Sequence, residues 1–225
     1  MNDEFGAVIP AFNEAGHIEG VVRGVAGQVP ASNILVIDDG SSDNTVAEAE
    51  GTGVEVVSNP VNLGKGATLL KGFRLLAGKP GIEAVFTLDA DGQHDPNEMA
   101  AFIGAFRGKK ADIVIGSRMA DVAGMPALRR FTNRFTSAVI SLRAGVRIDD
   151  TQSGYRLVRL AMIDKLDLVT RNFELESEIL IKAARLGAVI VSVPITTIYG
   201  EEKSKINPLL DSWRFLKLVI RSFLW

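Results

Sequence analysis

Five short apolar runs each break off into a polar or glycine-rich cluster, and this repetition constrains the fold more than any other feature of the chain. The runs are residues 5–10 (FGAVIP), 33–38 (NILVID), 54–58 (VEVVS), 84–89 (AVFTLD) and 111–116 (ADIVIG). Stretches of helical periodicity lie between or after them, at 14–26, 43–50, 65–77 and 96–106, the last with Pro96 at its first position and Asp95 as cap. Apolar runs this short suit strands buried on both faces. Their alternation with helices predicts an α/β fold, a mostly parallel sheet with helices on both faces.

Ligands of such sheets gather beyond the carboxyl ends of the strands. Here those ends read PAFNE, DDGSSD, NPVNLGKG, DADGQ and GSR, so all five clusters fall on one edge. The pattern changes after residue 127, with helical stretches at 128–143 and 174–186, a loop at 148–156 (IDDTQSGYR) and an apolar run at 188–200. A chain of 225 residues supports one substantial domain. We expect a catalytic domain over 1–206 and an amphipathic helix over 207–225.

Composition excludes some chemistry. There is no cysteine, which removes disulfides and thiolate zinc sites, and His17 and His94 lie too far apart for ligand spacing. The acidic start MNDEFGAVIPAF reads as a strand and not as a secretion signal, so a cytoplasmic location is expected. Charge is uneven: residues 1–106 hold 5 Lys and Arg against 15 Asp and Glu, whereas residues 107–159 hold 11 against 4. The first segment suits a cation and the second an anion. Nothing points to nucleic acid.

Asp89 and Asp91 sit two apart just past a strand, where both can approach one hard cation such as Mg2+ or Mn2+, with Gln93 as a further oxygen ligand. A helix cap and a turn account for Asp95 and Gly92 but leave Asp89 unexplained. Asp38 and Asp39 close another strand, and Asp39 could receive ribose hydroxyls or a base edge. Asn13 reads as a helix cap and Glu14 as a first-turn acid. Lys65 lies between Gly64 and Gly66 at a helix start, which is not a P-loop but lets backbone and ammonium approach a phosphate.

Taken in order, VIPAFNE, ILVIDDGSSDNT, NLGKG, TLDADGQHDP, IGSR, DTQSGYRL and YGEEKSK resemble the family 2 glycosyltransferases of the GT-A fold, most of all the dolichol- and polyprenol-phosphate sugar transferases. The resemblance covers nearly the whole chain. It implies that Pro10, Ala11, Asn13, Glu14, Asp38 and Asp39, with Lys65 and Asp89–Ala90–Asp91, hold a nucleotide sugar. It also implies that Asp89, Asp91 and Gln93 bind Mg2+ or Mn2+ on the donor's pyrophosphate. Arg118, Arg130, Ser153 and Arg156 would surround the transferred sugar and the acceptor phosphate, with Tyr199, Lys203, Ser204 and Lys205 on a flap; Asp89, Asp91, Arg118 and Arg130 would carry the catalysis, with inversion at the sugar.

A phosphate acceptor, with a second pKa near 6, is already a nucleophile at neutral pH and needs positive charge more than a base. The arginines at 118, 129, 130, 134 and 156 suit it. The alternatives are a soluble hydroxyl acceptor, which would instead need a base such as Glu174 or Glu176, and a non-catalytic nucleotide-sugar-binding protein, which turnover of the donor would exclude. Many such transferases carry membrane-spanning segments, and none is legible here. The last helix sets Arg214, Lys217 and Arg221 on one face beside a broad apolar surface, which suits peripheral contact with an anionic membrane, docking on the core, or a homodimer.

Overall fold

The structure is a computed structural model that describes residues 2–120, 125–196 and 208–225. Its strands are β1 (Phe5–Ala11), β2 (Ile34–Asp38), β3 (Glu55–Ser58), β4 (Ala84–Thr87), β5 (Ile113–Ser117), β6 (Arg156–Arg159) and β7 (Ile190–Pro194). They form one sheet in the order β3-β2-β1-β4-β6-β5-β7. Every pairing is parallel except those of β6, which runs antiparallel to both β4 and β5.

The five expected strands form within a residue or two of their apolar runs; β1, β2, β4 and β5 are buried on both faces, and β3 at the sheet edge is only partly covered. Phe5, Ala7 and Ile9 of β1 face one core layer and Val8 the other. The first layer is covered by α1 (Ile18–Ala26) and α4 (Met99–Gly108). Ile18, Val21, Val22 and Val25 bring α1 down at helical spacing. Edge-on ring contacts run from Phe5 to Phe86 and Phe106, and from Phe86 to Phe102, with centroids 5.8–6.2 Å apart. Each fully buried Phe contributes about 2 kcal/mol of transfer free energy. α2 (Thr45–Glu50) adds Ala49 to this layer.

α3 (Lys65–Ala77), α5 (Ala127–Ala144), α6 (Leu160–Ile163) and α7 (Glu174–Arg185) cover the other face. α8 (Pro208–Arg221) packs outside α7 and α5, burying Leu218, while Ser222 just beyond it is also buried. Among the described residues no helix is long and apolar enough to cross a membrane.

Two local expectations change. α1 begins at Ile18 and not at residue 14, because Asn13 takes a left-handed backbone (φ 52°) and its Oδ1 accepts from the Ser42 amide at 2.9 Å instead of capping the helix. β6 was not expected: RLVR is only four residues long with arginine at both ends, too short for a visible period. Its direction matters, since Arg156 pairs with Thr87 and Ile115, which carries the preceding loop onto the carboxyl edge of the sheet.

Candidate active site

The acidic turn after β4 converges with the starts of two helices. Asp89 lies two residues beyond the end of β4, and its Oδ1 is 2.6 Å from Nζ of Lys65, the first residue of α3. The same ammonium is 3.3 Å from Oε2 of Glu176, in the first turn of α7. Gly154 closes over the pair: a Cβ there would stand 2.6 Å from Asp89 Oδ2 and 2.8 Å from Lys65 Nζ, so the loop before β6 reaches the pair only because this residue has no side chain.

Burial, the largest influence, works to raise the Asp89 carboxyl, but the charge and hydrogen bond of Lys65 together with the charges of His94 and Arg118 outweigh it and hold the pKa at about 2. Burial likewise works to lower Lys65, and Asp89 with Glu176 holds it well above the ordinary lysine value. His94 is buried and neutral, with burial driving its pKa down to about 4 against the pull of Asp89. Its Nδ1 faces the Asp89 amide at 3.4 Å, and its ring lies 5.0 Å from that of Tyr155, which stacks on Phe102 at 4.4 Å. The Tyr155 hydroxyl donates to the carbonyl of Asp95 at 3.1 Å. The turn is thus fastened to the core from below while the Asp89 side chain keeps 30% exposure.

Asp91 is half-buried, and its Oδ1 accepts from the Gln93 amide at 3.0 Å, which closes the turn. Among the described residues no three His, Cys, Asp or Glu side chains gather as a metal cage. Mg2+ is typically held by one or two carboxylates together with substrate phosphates and water. The hard oxygen donors of Asp89 and Asp91 at one strand tip fit a divalent cation of that kind.

Arg118 follows β5 and is buried against Asp150, with Nε to Oδ2 at 2.8 Å and Nη2 to Oδ1 at 2.9 Å. Asp150 also accepts from the Arg118 amide at 3.1 Å and from Asn133 Nδ2, on α5, at 2.8 Å. Burial, the largest single influence, works to raise the Asp150 carboxyl, and the hydrogen bonds and charge of Arg118 together with the Asn133 hydrogen bond bring it below its usual value. Asn133 in turn accepts from Ser137, which accepts from the Thr151 amide. Arg156 is fully engaged as well: its three nitrogens donate to the carbonyls of Ser153, Glu176 and Thr151 at 2.7–2.9 Å. This arginine and the buried Ser153 fasten the 151–153 loop to α7. Arg130 is partly exposed in the first turn of α5, and no hydrogen bond or ion pair ties it to this cluster among the described residues. Tyr199, Lys203, Ser204 and Lys205 lie outside the described residues.

The strand ends expected to hold the donor are laced to one another. Pro10 and Ala11 end β1 beside Ile37 and Asp38, and the Ala11 carbonyl accepts from the Asp39 amide at 2.8 Å. Asp38 accepts from the amides of Gly40 and Ser41. Asp39 is buried, and its carboxylate takes donors from Asn59 Nδ2 and the amides of Leu63 and Gly64, each at 2.9 Å. It therefore organises the 59–64 loop. The Glu14 amide donates to Thr45 Oγ1 at 2.7 Å, tying the 13–16 turn to α2, and Ala90 is buried in the core. Gly66 is explained by packing: a Cβ there would come within 2.6 Å of the backbone at Arg171 and Asn172. Lys65 accordingly meets carboxylates of its own chain.

Sequence reasoning missed Asp150, Gly154 and the Lys65–Glu176 contact. The loop read at 148–156 and the motif DTQSGYRL marked the segment that supplies the first two, without assigning either a role.

A family model for Glycosyl transferase family 2 matches residues 7–166. An undecaprenyl-phosphate mannosyltransferase of Micrococcus luteus is 30% identical over 205 residues, covering 86% of this chain and 83% of that protein. A UDP-N-acetylglucosamine–dolichyl-phosphate N-acetylglucosaminyltransferase of Methanococcus voltae is 31% identical over 216 residues, covering 86% and 85%. Glucosyl-3-phosphoglycerate synthase from Mycobacterium tuberculosis, solved with Mn2+, uridine diphosphate and phosphoglyceric acid, superposes with a TM-score of 0.71 at 25% identity, covering 99% of this chain and 78% of that one. With the model spanning most of the chain and the strand tips assembled on one edge of a GT-A sheet, this protein belongs to glycosyl transferase family 2.

Proposed function

We propose that this chain transfers a sugar from a nucleotide-sugar donor, GDP-mannose or a UDP-hexose, to a polyprenyl phosphate at a membrane surface, using Mg2+ or Mn2+. The observation that carries the reading is Asp89: a carboxylate held ionised at about pKa 2, partly exposed, at the tip of β4 beside Asp91. Two such oxygen donors at one strand end match a ligand that brings its own phosphates. The relatives named for polyprenyl- and dolichyl-phosphate acceptors support the acceptor class. Those two differ in their sugar, so the donor is to be settled by assay.

In this reading Asp89 and Asp91 would hold the cation, with Gln93 beside them. When bound, the ion would stabilise the charge that develops on the departing diphosphate. Lys65 keeps Asp89 ionised and oriented, and Glu176 keeps Lys65 in place. The Arg118–Asp150 pair sets the edge opposite, and the arginines of α5 supply positive charge for a phosphate acceptor. Since that acceptor is already an anion, no base is required of the chain.

A second reading takes a hydroxyl acceptor with Glu176 as base, favoured by one observation: its Oε1 is buried without a hydrogen-bond partner. Glu174 Oε2 is likewise buried without a hydrogen-bond partner, but that residue lines a cavity with Arg214 and Lys217, whereas Glu176 faces Lys65 beside Asp89. Incubating purified protein with radiolabelled donors, polyprenyl phosphate and Mn2+ tests both. Label entering the organic phase, and lost with chelator, is expected. Label that stays in water and follows a hydroxyl acceptor would favour the second reading instead.

A further inference from the structure

A cavity outside the acidic turn gathers charge of the opposite sign. It encloses about 190 Å3 between α8 and the segment that leads into α7, and Arg171, Glu174, Arg214, Lys217 and Arg221 line it. Arg214, Lys217 and Arg221 follow one another on α8 at intervals of three and four residues, so they share one helix face. Arg171 comes from the other wall, and its carbonyl accepts from the Ala67 amide at 2.8 Å, which holds that wall against α3. Glu174 and Glu176 are separated by about 200° around the axis of α7, so Glu174 turns away from the cluster of Lys65 and Asp89.

The charges in this cavity are poorly matched from within the chain. Arg214 is paired with Asp211 at 2.9 Å. Among the described residues, no hydrogen bond or ion pair engages the side chains of Arg171, Lys217 and Arg221. Oε2 of Glu174 is buried and has no hydrogen-bond partner. Three uncommitted cations around a small space create a surplus of positive potential, and a buried carboxylate oxygen without a donor is destabilising. One kind of ligand answers both: an anion that engages the cations and carries a hydroxyl to donate to Glu174. Guanidinium forks on two walls suit the several oxygens of a phosphate. The volume lies below the roughly 300–1,000 Å3 of pockets for drug-sized ligands, which excludes a whole nucleotide sugar.

We propose that this cavity binds a small phosphomonoester bearing a hydroxyl, of the size of glycerol 3-phosphate. Arg171, Lys217 and Arg221 take the phosphate and Glu174 accepts from the hydroxyl. A monoester is favoured over the diester of a lipid headgroup because it carries a second negative charge at neutral pH, which three cations can meet. Its occupancy ties α8 to the 169–174 segment. The site goes beyond the sugar-transfer reading and does not depend on it.

The experiment is calorimetric titration of the full chain with inorganic phosphate, glycerol 3-phosphate and glycerophosphoglycerol, the last a soluble lipid-headgroup diester, with hydrogen exchange followed on the same samples. Glycerol 3-phosphate should bind most tightly and protect both 169–174 and 208–221. Lys217 and Arg221 are exposed, so Lys217→Ala/Arg221→Ala should melt like the parent while binding about tenfold more weakly or worse. Glu174→Ala should bind inorganic phosphate at least as well as the parent and lose the preference for glycerol 3-phosphate. Binding that the double variant leaves unchanged would place the phosphate elsewhere and overturn the proposal. A preference for the diester would assign the cavity to lipid headgroups and overturn it as well, as would binding of none of the three. Loss of this binding in a chain that still transfers sugar removes the site alone, and binding in a chain that transfers none removes the proposed function alone.

Discussion

Nζ of Lys65 lies 2.6 Å from Oδ1 of Asp89, so the foremost carboxylate of the acidic turn is neutralised by the first residue of α3. The same lysine faces Glu176, which makes it the common counter-charge of two acids brought together from distant parts of the chain. Replacing it by methionine leaves both carboxylates facing each other. Lys65→Met should cost about 2 kcal/mol in urea unfolding, less than a fully buried pair because Asp89 is partly open to water. Adding Asp89→Asn should restore part of that loss; a fully additive double variant would show that the contact is not energetically coupled.

Gly154→Ala probes the closeness of the loop. The added methyl meets Asp89 Oδ2 at 2.6 Å, so the ion pair or the loop must shift. Sugar transfer should drop by tenfold or more, about 1.4 kcal/mol in the barrier, whereas the melting temperature should change little. Undiminished transfer would show that the site tolerates a wider gap.

Asp150→Asn removes the charge that Arg118 bonds twice. The arginine stays buried without its counter-ion, and a loss of about 3 kcal/mol in stability is expected, measured by urea unfolding. Transfer should fall with it, since the Arg118 edge loses its anchor to Asn133.

Acid should unfold this protein in two stages. The pKa of His94 falls from 6.5 to about 4 on folding, so between those values the unfolded chain binds the proton that the folded one refuses. Stability is complete above pH 6.5 and declines as pH falls towards 4, by about 3 kcal/mol. Asp89, with its pKa lowered from 3.8 to about 2, adds a further decline as pH drops through that lower window. Urea unfolding across the acid range should show the first slope, and His94→Gln should flatten it.

Asp89→Asn and Asp91→Asn test the cation. In the parent chain, a nucleotide sugar should raise the melting temperature more with Mn2+ than without, and saturation at a hundredfold excess over Kd corresponds to about 2.7 kcal/mol. Either variant should lose the Mn2+-dependent part while keeping its ligand-free melting point within a few degrees. An undiminished Mn2+ response in both would assign the ion elsewhere.

The framework was legible because its signals are local. α3 occupies residues 65–77, the span its periodicity predicts, and Asp95 caps the turn at Pro96 through the Asn97 amide. The gathering of strand tips on one edge followed from topology rules alone. The roles of single side chains were less legible. Asp39, expected to be open to a ribose, supports the 59–64 loop, and Arg156, expected beside an acceptor, donates to three carbonyls. β6 went unseen because four residues flanked by arginine carry no period.

The order of apolar runs and acidic tips by itself determined the sheet, its functional edge and the carboxylates that stand there, since burial periodicity and strand-end chemistry are written within a few residues of each other. Only the tertiary structure decided which charges meet. Lys65, Asp89, Gly154 and Glu176 are brought together by chain closure across more than a hundred residues, and an antiparallel β6 with no local signature sets the loop that completes them. Ion pairing depends on distance in space, which periodicity along the chain does not encode.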